Sequence, residues 1–199
     1  MRFKILLGLA LLAMLVASAV TVLAAITPFS ADYVQIDNKN KETIGRIFVT
    51  QDKMRSEFSD AKTGLTVMIV RMDRKVTWML MTREQTYMEI KYEDGMSQVA
   101  AQAEDTIESK QDLGVETLNG YICHKWKFIY KNHDYGTSIV WISDKLSYAI
   151  QTQATNKYGT SGTEMRSIKE GPQAASLFEI PAGYEKFEMP DLSGLLGGG

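Results

Sequence analysis

Residues 65–90 read LTVMIVRMDRKVTWMLMTREQTYMEI. The reading predicts three short strands, 65–72, 76–81 and 86–90, broken by Asp73-Arg74-Lys75 and by Thr82-Arg83-Glu84-Gln85. Both breaks are polar and of hairpin length. Successive side chains of a strand point to opposite faces. Leu65, Val67 and Ile69 therefore oppose Met68, Val70 and Met72, and Val76, Trp78 and Leu80 oppose Thr77, Met79 and Met81. Both faces are apolar, whereas a meander with one wet face alternates apolar with polar. Each face needs a cover, either protein or an apolar ligand.

Upstream, Thr27–Ile36 reads as a short helix or an edge strand. Thr43–Thr50 and Met54–Phe58 alternate like strands, with polar turns at 37–41, 51–53 and 59–64. Downstream, Met96, Val99, Ala100, Ala103 and Ile107 recur at helical spacing, so an amphipathic helix is predicted over Gly95–Ser109. Asn119-Gly120 marks a hairpin within Gly114–Lys131, because both residues tolerate positive φ. Thr137–Ser143, Tyr148–Tyr158 and Thr163–Lys169 are further strands, the last two flanking a polar turn at Gly159–Gly162. Ser176–Phe187 closes the domain. The predicted fold is mainly β: a curved antiparallel open half-barrel of about 9–11 strands, with one or two helices covering the concave face.

The ends divide the 199 residues. Residues 1–24 read as a signal peptide: Arg2 and Lys4 precede the apolar run Ile5–Val20, and small residues follow. Cleavage is expected after Ala24, with Ala25 or Ala19 as alternatives and an uncleaved anchor as the competing reading. Residues 25–190 form one domain, and 191–199 a flexible Gly/Leu tail. The expected location is periplasmic or secreted, without a stable membrane anchor after cleavage. The net charge of −2 becomes −4 without the two leader cations, which argues against a nucleic-acid partner. A single cysteine, Cys123, allows no internal disulfide. A monomer is expected.

Few residues here suit catalysis. His124 and His133 lie on different elements, and no paired cysteines accompany them to complete a zinc site. Cys123 and His124 are neighbours in a strand and point apart, so they cannot act as a thiolate–imidazole pair. No carboxylate pair lies in apolar surroundings, no Gly-rich phosphate loop opens a helix, and no nucleophile elbow occurs. The expectation is a protein that is not an enzyme and has no metal or cofactor. The methionines point elsewhere. Five of the chain's eleven, Met68, Met72, Met79, Met81 and Met88, fall in the central meander. Methionine suits surfaces that adapt to varied apolar partners, although it also serves as core filler. The candidate ligand lining is Met68, Val70, Met72, Met79, Met81, Trp126, Phe128 and Trp141.

Several segments in order carry a resemblance. They are Lys53-Met54-Arg55; Val70-Arg71-Met72-Asp73-Arg74-Lys75-Val76-Thr77-Trp78; Gln85-Thr86-Tyr87-Met88-Glu89; Leu118-Asn119-Gly120-Tyr121-Ile122-Cys123-His124-Lys125; Val140-Trp141-Ile142-Ser143; and Leu177-Phe178-Glu179-Ile180-Pro181-Ala182-Gly183-Tyr184. The patterns R-x-D-x-x-x-x-W and F-E-I-P-x-G-Y are the most specific. Over about Phe29–Pro190 the chain resembles the LolA-like superfamily of periplasmic lipoprotein and lipid carriers, and more closely one of its domain-of-unknown-function branches. The resemblance implies an unclosed antiparallel barrel whose cavity shelters acyl chains, with lipid acyl chains or a lipoprotein as partner. The alternative function on the same fold is an envelope protein-interaction or stress-sensing module with a packed core.

Overall fold

The computed structural model describes residues 25–60, 64–91 and 106–187. The described residues form one open sheet of twelve strands: β1 (Phe29–Ile36), β2 (Glu42–Val49), β3 (Lys53–Asp60), β4 (Gly64–Arg71), β5 (Val76–Met81), β6 (Thr86–Lys91), β7 (Ile107–Leu118), β8 (Tyr121–Tyr130), β9 (Thr137–Ser143), β10 (Tyr148–Asn156), β11 (Gly159–Glu170) and β12 (Glu185–Lys186). The order across the sheet is β12-β6-β5-β4-β3-β2-β1-β11-β10-β9-β8-β7. Every pairing is antiparallel except β12 with β6. Among the described residues there is no α-helix, only three short 3-10 turns.

The sheet exceeds the expected 9–11 strands because of the two-residue β12. Thr27–Ile36 is neither helix nor edge: β1 pairs β2 on one side and β11 on the other. The turn expected at 159–162 falls instead at Lys157-Tyr158. There the Asn156 side chain accepts from the Tyr158 N–H, and Gly159 takes φ +119°, so 159–162 pair within β11. Most of the helix predicted over Gly95–Ser109 lies outside the described residues. Its last three, Ile107–Ser109, belong to β7, where pairing to β8 overrides helical spacing. The proposed leader and tail also lie outside the described residues. The Asn119-Gly120 hairpin forms as expected, with φ of 50° and 83°.

The sheet curls. Tyr148 on β10 donates its hydroxyl to the Met54 sulfur on β3 at 3.4 Å. Four strand spacings separate those strands, so a flat sheet would hold them about 19 Å apart. The concave face is therefore the one carrying Phe29, Ala31, Tyr33, Ile47, Val49, Cys123, Trp141, Leu146, Ile150 and Met165, which form a single buried cluster. Gly45 helps pack this face. A Cβ there would sit 2.7 Å from the Phe58 ring, and its absence lets Phe58 reach Tyr33 edge-on at 5.4 Å.

Candidate functional site

The register assigns each residue of the β3–β6 arm to a face. Paired residues of adjacent strands share a face. One cross-strand row runs Met88–Met79–Met68–Ser56–Ile47–Ala31. The row on one side runs Ile90–Thr77–Val70–Met54–Val49–Phe29, and the row on the other Thr86–Met81–Thr66–Phe58–Gly45–Tyr33. All three rows enter the concave cluster at β1 and β2. At β1 and β2 they are covered. At β4–β6 they open: Thr66, Met68, Thr77, Met79, Met81, Thr86 and Met88 are half-buried and Ile90 is exposed, and only Val70 is buried. No charged residue stands on these rows in β4–β6. Arg71, Glu89 and Lys91, the charged residues of those strands, take the opposite parity.

The other face of the same arm is sealed. Phe48, Val67, Ile69, Val76, Trp78 and Leu80 bury against Phe178, with Leu177, Ile180 and Tyr184 packed around it. The segment 174–187 thus lies across the sheet as a strap. Arg71, buried to 3% exposure, anchors it. Its guanidinium donates twice to Asp73 at 2.8 and 2.6 Å, to Glu179 at 2.6 Å and to the Phe178 carbonyl at 3.1 Å. Arg74 adds two contacts to Glu179, and Arg55 donates to the Leu177 carbonyl at 2.9 Å. The hydrogen bonds from Arg71 hold the Asp73 carboxyl below its ordinary pKa. Glu89 is lowered by the Trp78 indole N–H, then by Lys186 of the strap.

The eight residues expected to line a ligand site divide among four places. Met68, Val70, Met79 and Met81 share the open concave rows. Met72 lies in the 3-10 turn Met72–Arg74, off the strand face. Trp141 belongs to the concave cluster, its indole N–H donating to Glu116 at 2.9 Å and Lys125 lying over its ring. Phe128 and Trp126 belong to a separate cluster with Tyr130, Val140 and Ile142. Trp126 pairs with Val140, the neighbour of Trp141, so alternation turns Trp126 and Phe128 away from Trp141. Met54 and Met88 complete the open rows. Their signal in the sequence is the same parity, one strand further out on either side.

Cys123 is fully buried, and burial pushes its thiol pKa up to about 11. His124 is exposed, with Nε2 3.5 Å from Asp144. Among the described residues no group of His, Cys, Asp and Glu could hold a metal ion, and no helix is long and apolar enough to cross a membrane.

A family model described as a domain of unknown function (DUF4412) matches residues 34–150. No curated protein matches the chain. Among solved structures, an uncharacterized conserved protein from Thermus thermophilus superposes with a TM-score of 0.59 at 11% identity, covering 88% of this chain and 96% of that one. MucB of Pseudomonas aeruginosa, solved in complex with MucA, gives 0.55 at 9% identity, covering 88% of this chain and 62% of that one. A LolA superfamily protein from Nitrosomonas europaea gives 0.34 at 9% identity, covering 85% and 97%. At these identities the first two show a likeness of fold alone.

Proposed function

The chain belongs to the DUF4412 family, whose description carries no activity, and from its concave face we propose that it binds or carries an apolar ligand, a lipid acyl chain or an acylated protein. A periplasmic or secreted location after removal of residues 1–24 is part of this reading. The observation that supports it is the difference between the two faces of β4–β6. One is sealed by the strap, and the other presents an uncharged, half-exposed apolar row continuous with the core. Burial energetics permit the function. Each buried methylene contributes about 0.8 kcal/mol, so a sixteen-carbon chain gains roughly 12 kcal/mol before ordering costs. Subtracting at least about 4 kcal/mol for association leaves at most about 8 kcal/mol, so micromolar binding is the upper bound.

The test is titration with a fluorescent fatty acid. Saturable binding at about one probe per chain is expected, weakened at least about tenfold (1.4 kcal/mol) in Met79→Arg. Absence of saturable binding to a folded protein at micromolar concentration would remove the proposal. A protein-interaction module is the second reading. It is favoured by the twelve-residue β7, which forms one edge of the sheet and is mostly exposed. An exposed edge can take up a partner strand. In that case the fatty acid leaves no signal, and partner capture depends on β7.

A further inference from the structure

The two faces of β4–β6 differ in chemistry as well as in cover. The sealed face is built from Val67, Ile69, Val76, Trp78 and Leu80, without a sulfur. The open face carries Met68, Met79, Met81 and Met88. If the arm needed only apolar volume, the residues that fill one face would fill the other. Methionine adds a polarizable thioether on a flexible stem. Moreover, Met68 pairs directly with Met79, and Met79 with Met88, so three methionines occupy paired positions on three adjacent strands. All three are half-buried.

We propose that Met68, Met79 and Met88 form a thioether site for a soft monovalent metal ion of the Cu(I) class, with Met81 in the adjoining row as a further sulfur. Soft thioethers select Cu(I) over harder cations. Cross-strand Cβ atoms begin about 4.5–5.5 Å apart, and the three side-chain torsions of each methionine let the outer sulfurs lean toward that of Met79. The surroundings enforce the choice. Arg71, Glu89 and Lys91 lie on the opposite face, so no carboxylate of these strands is placed to take calcium or magnesium, and no imidazole or thiolate of these strands to take zinc. An uncharged apolar site also opposes a divalent ion more than a monovalent one, because desolvation cost rises with charge. A thioether has no proton to lose, so this site would not show the pH dependence of thiolate or imidazole ligands.

The experiment is competition between the purified protein and the coloured Cu(I)–bicinchoninate complex under reducing, anaerobic conditions. The expected result is one Cu(I) withdrawn per chain, with an affinity unchanged between about pH 6 and 8. Cys123→Ala should behave like the parent, which excludes the thiol. The triple variant M68L/M79L/M88L should lose at least about a hundredfold in affinity while keeping its fold, because leucine nearly conserves volume. Equal Cu(I) uptake by the triple variant, no uptake by the parent, or loss of uptake in a folded Cys123→Ala would each overturn the proposal. Fatty-acid binding is read separately, so failure of the carrier reading leaves the metal result interpretable on its own.

Discussion

Replacing Phe178 by alanine tests whether the strap is part of the folded core or a detachable cover. Its ring is 1% exposed and lies among Phe48, Val67, Ile69, Val76, Trp78 and Leu80. Deleting a buried phenylalanine ring costs about 3–5 kcal/mol, the transfer term plus the cavity left behind. The cavity cannot collapse freely here. Arg55 and Arg71 fix the carbonyls of Leu177 and Phe178, and the Glu185 and Phe187 amides donate to Gln85 and Tyr87 at 2.9 and 2.8 Å. The upper part of the range is therefore expected, about 4 kcal/mol. With a urea dependence of about 2 kcal/mol per molar, the unfolding midpoint should fall by roughly 2 M. Amide exchange supplies the second measurement: if the strap unfolds with the sheet, the Glu185 and Phe187 amides exchange only through the global transition. A loss of stability below about 1 kcal/mol, with those amides still protected, would refute the packing account. A small shift with protection lost there would show instead that the strap opens independently of the sheet.

Three further outcomes follow from single contacts. Asp73 has a folded pKa held below its ordinary value by Arg71, so its contribution is present above its unfolded pKa of about 3.9 and is lost as pH falls through the lower folded value. Arg71→Ala should therefore be less stable than the parent at neutral pH and lose less on acidification to about pH 3; parallel acid profiles of the urea midpoint would contradict this. Cys123, buried and with its thiol pKa raised to about 11, should resist alkylation in the native protein at about pH 8 and react fully in urea; native labelling at the rate of a free thiol would contradict the burial. Gly45→Ala should cost about 1–3 kcal/mol in thermal or urea unfolding, because its methyl meets the Glu57 carbonyl and the Phe58 ring; an unchanged midpoint would mean that β3 can shift without loss.

The local features of this fold are legible in the sequence wherever one strand and one turn carry the whole signal. Alternation places β2, β4, β5, β8 and β9, and Asn119-Gly120 places the β7–β8 turn. Alternation alone also separates Met68 and Met79 from Val67 and Trp78, as the β4–β5 register bears out. Long-range pairing is beyond its reach. β1 reads as an edge strand or a helix because its partner β11 begins more than a hundred residues later. Trp126 and Trp141 are both apolar and both in strands, yet only the β8–β9 register determines that they face apart.

The strap shows the same limit from the other side. Arg71-x-Asp73 followed by Trp78, and Phe178-Glu179-Ile180 followed by Tyr184, stand out as separate patterns about a hundred residues apart. In the fold they are two halves of one contact. Arg71 bridges Asp73 and Glu179, Phe178 shares a cluster with Trp78, and Ile180 and Tyr184 close over it. The arginine is nearly buried while both carboxylates remain partly exposed. Removing Glu179 alone would still leave Asp73 to satisfy the guanidinium, whereas removing Arg71 takes away the bonds to Glu179 and to the Phe178 carbonyl and leaves the strap held by Arg74 on Glu179 and Arg55 on the Leu177 carbonyl. The apolar face of β4–β6 that this contact covers is thereby buried, and the methionine rows are the half-buried face of the same strands.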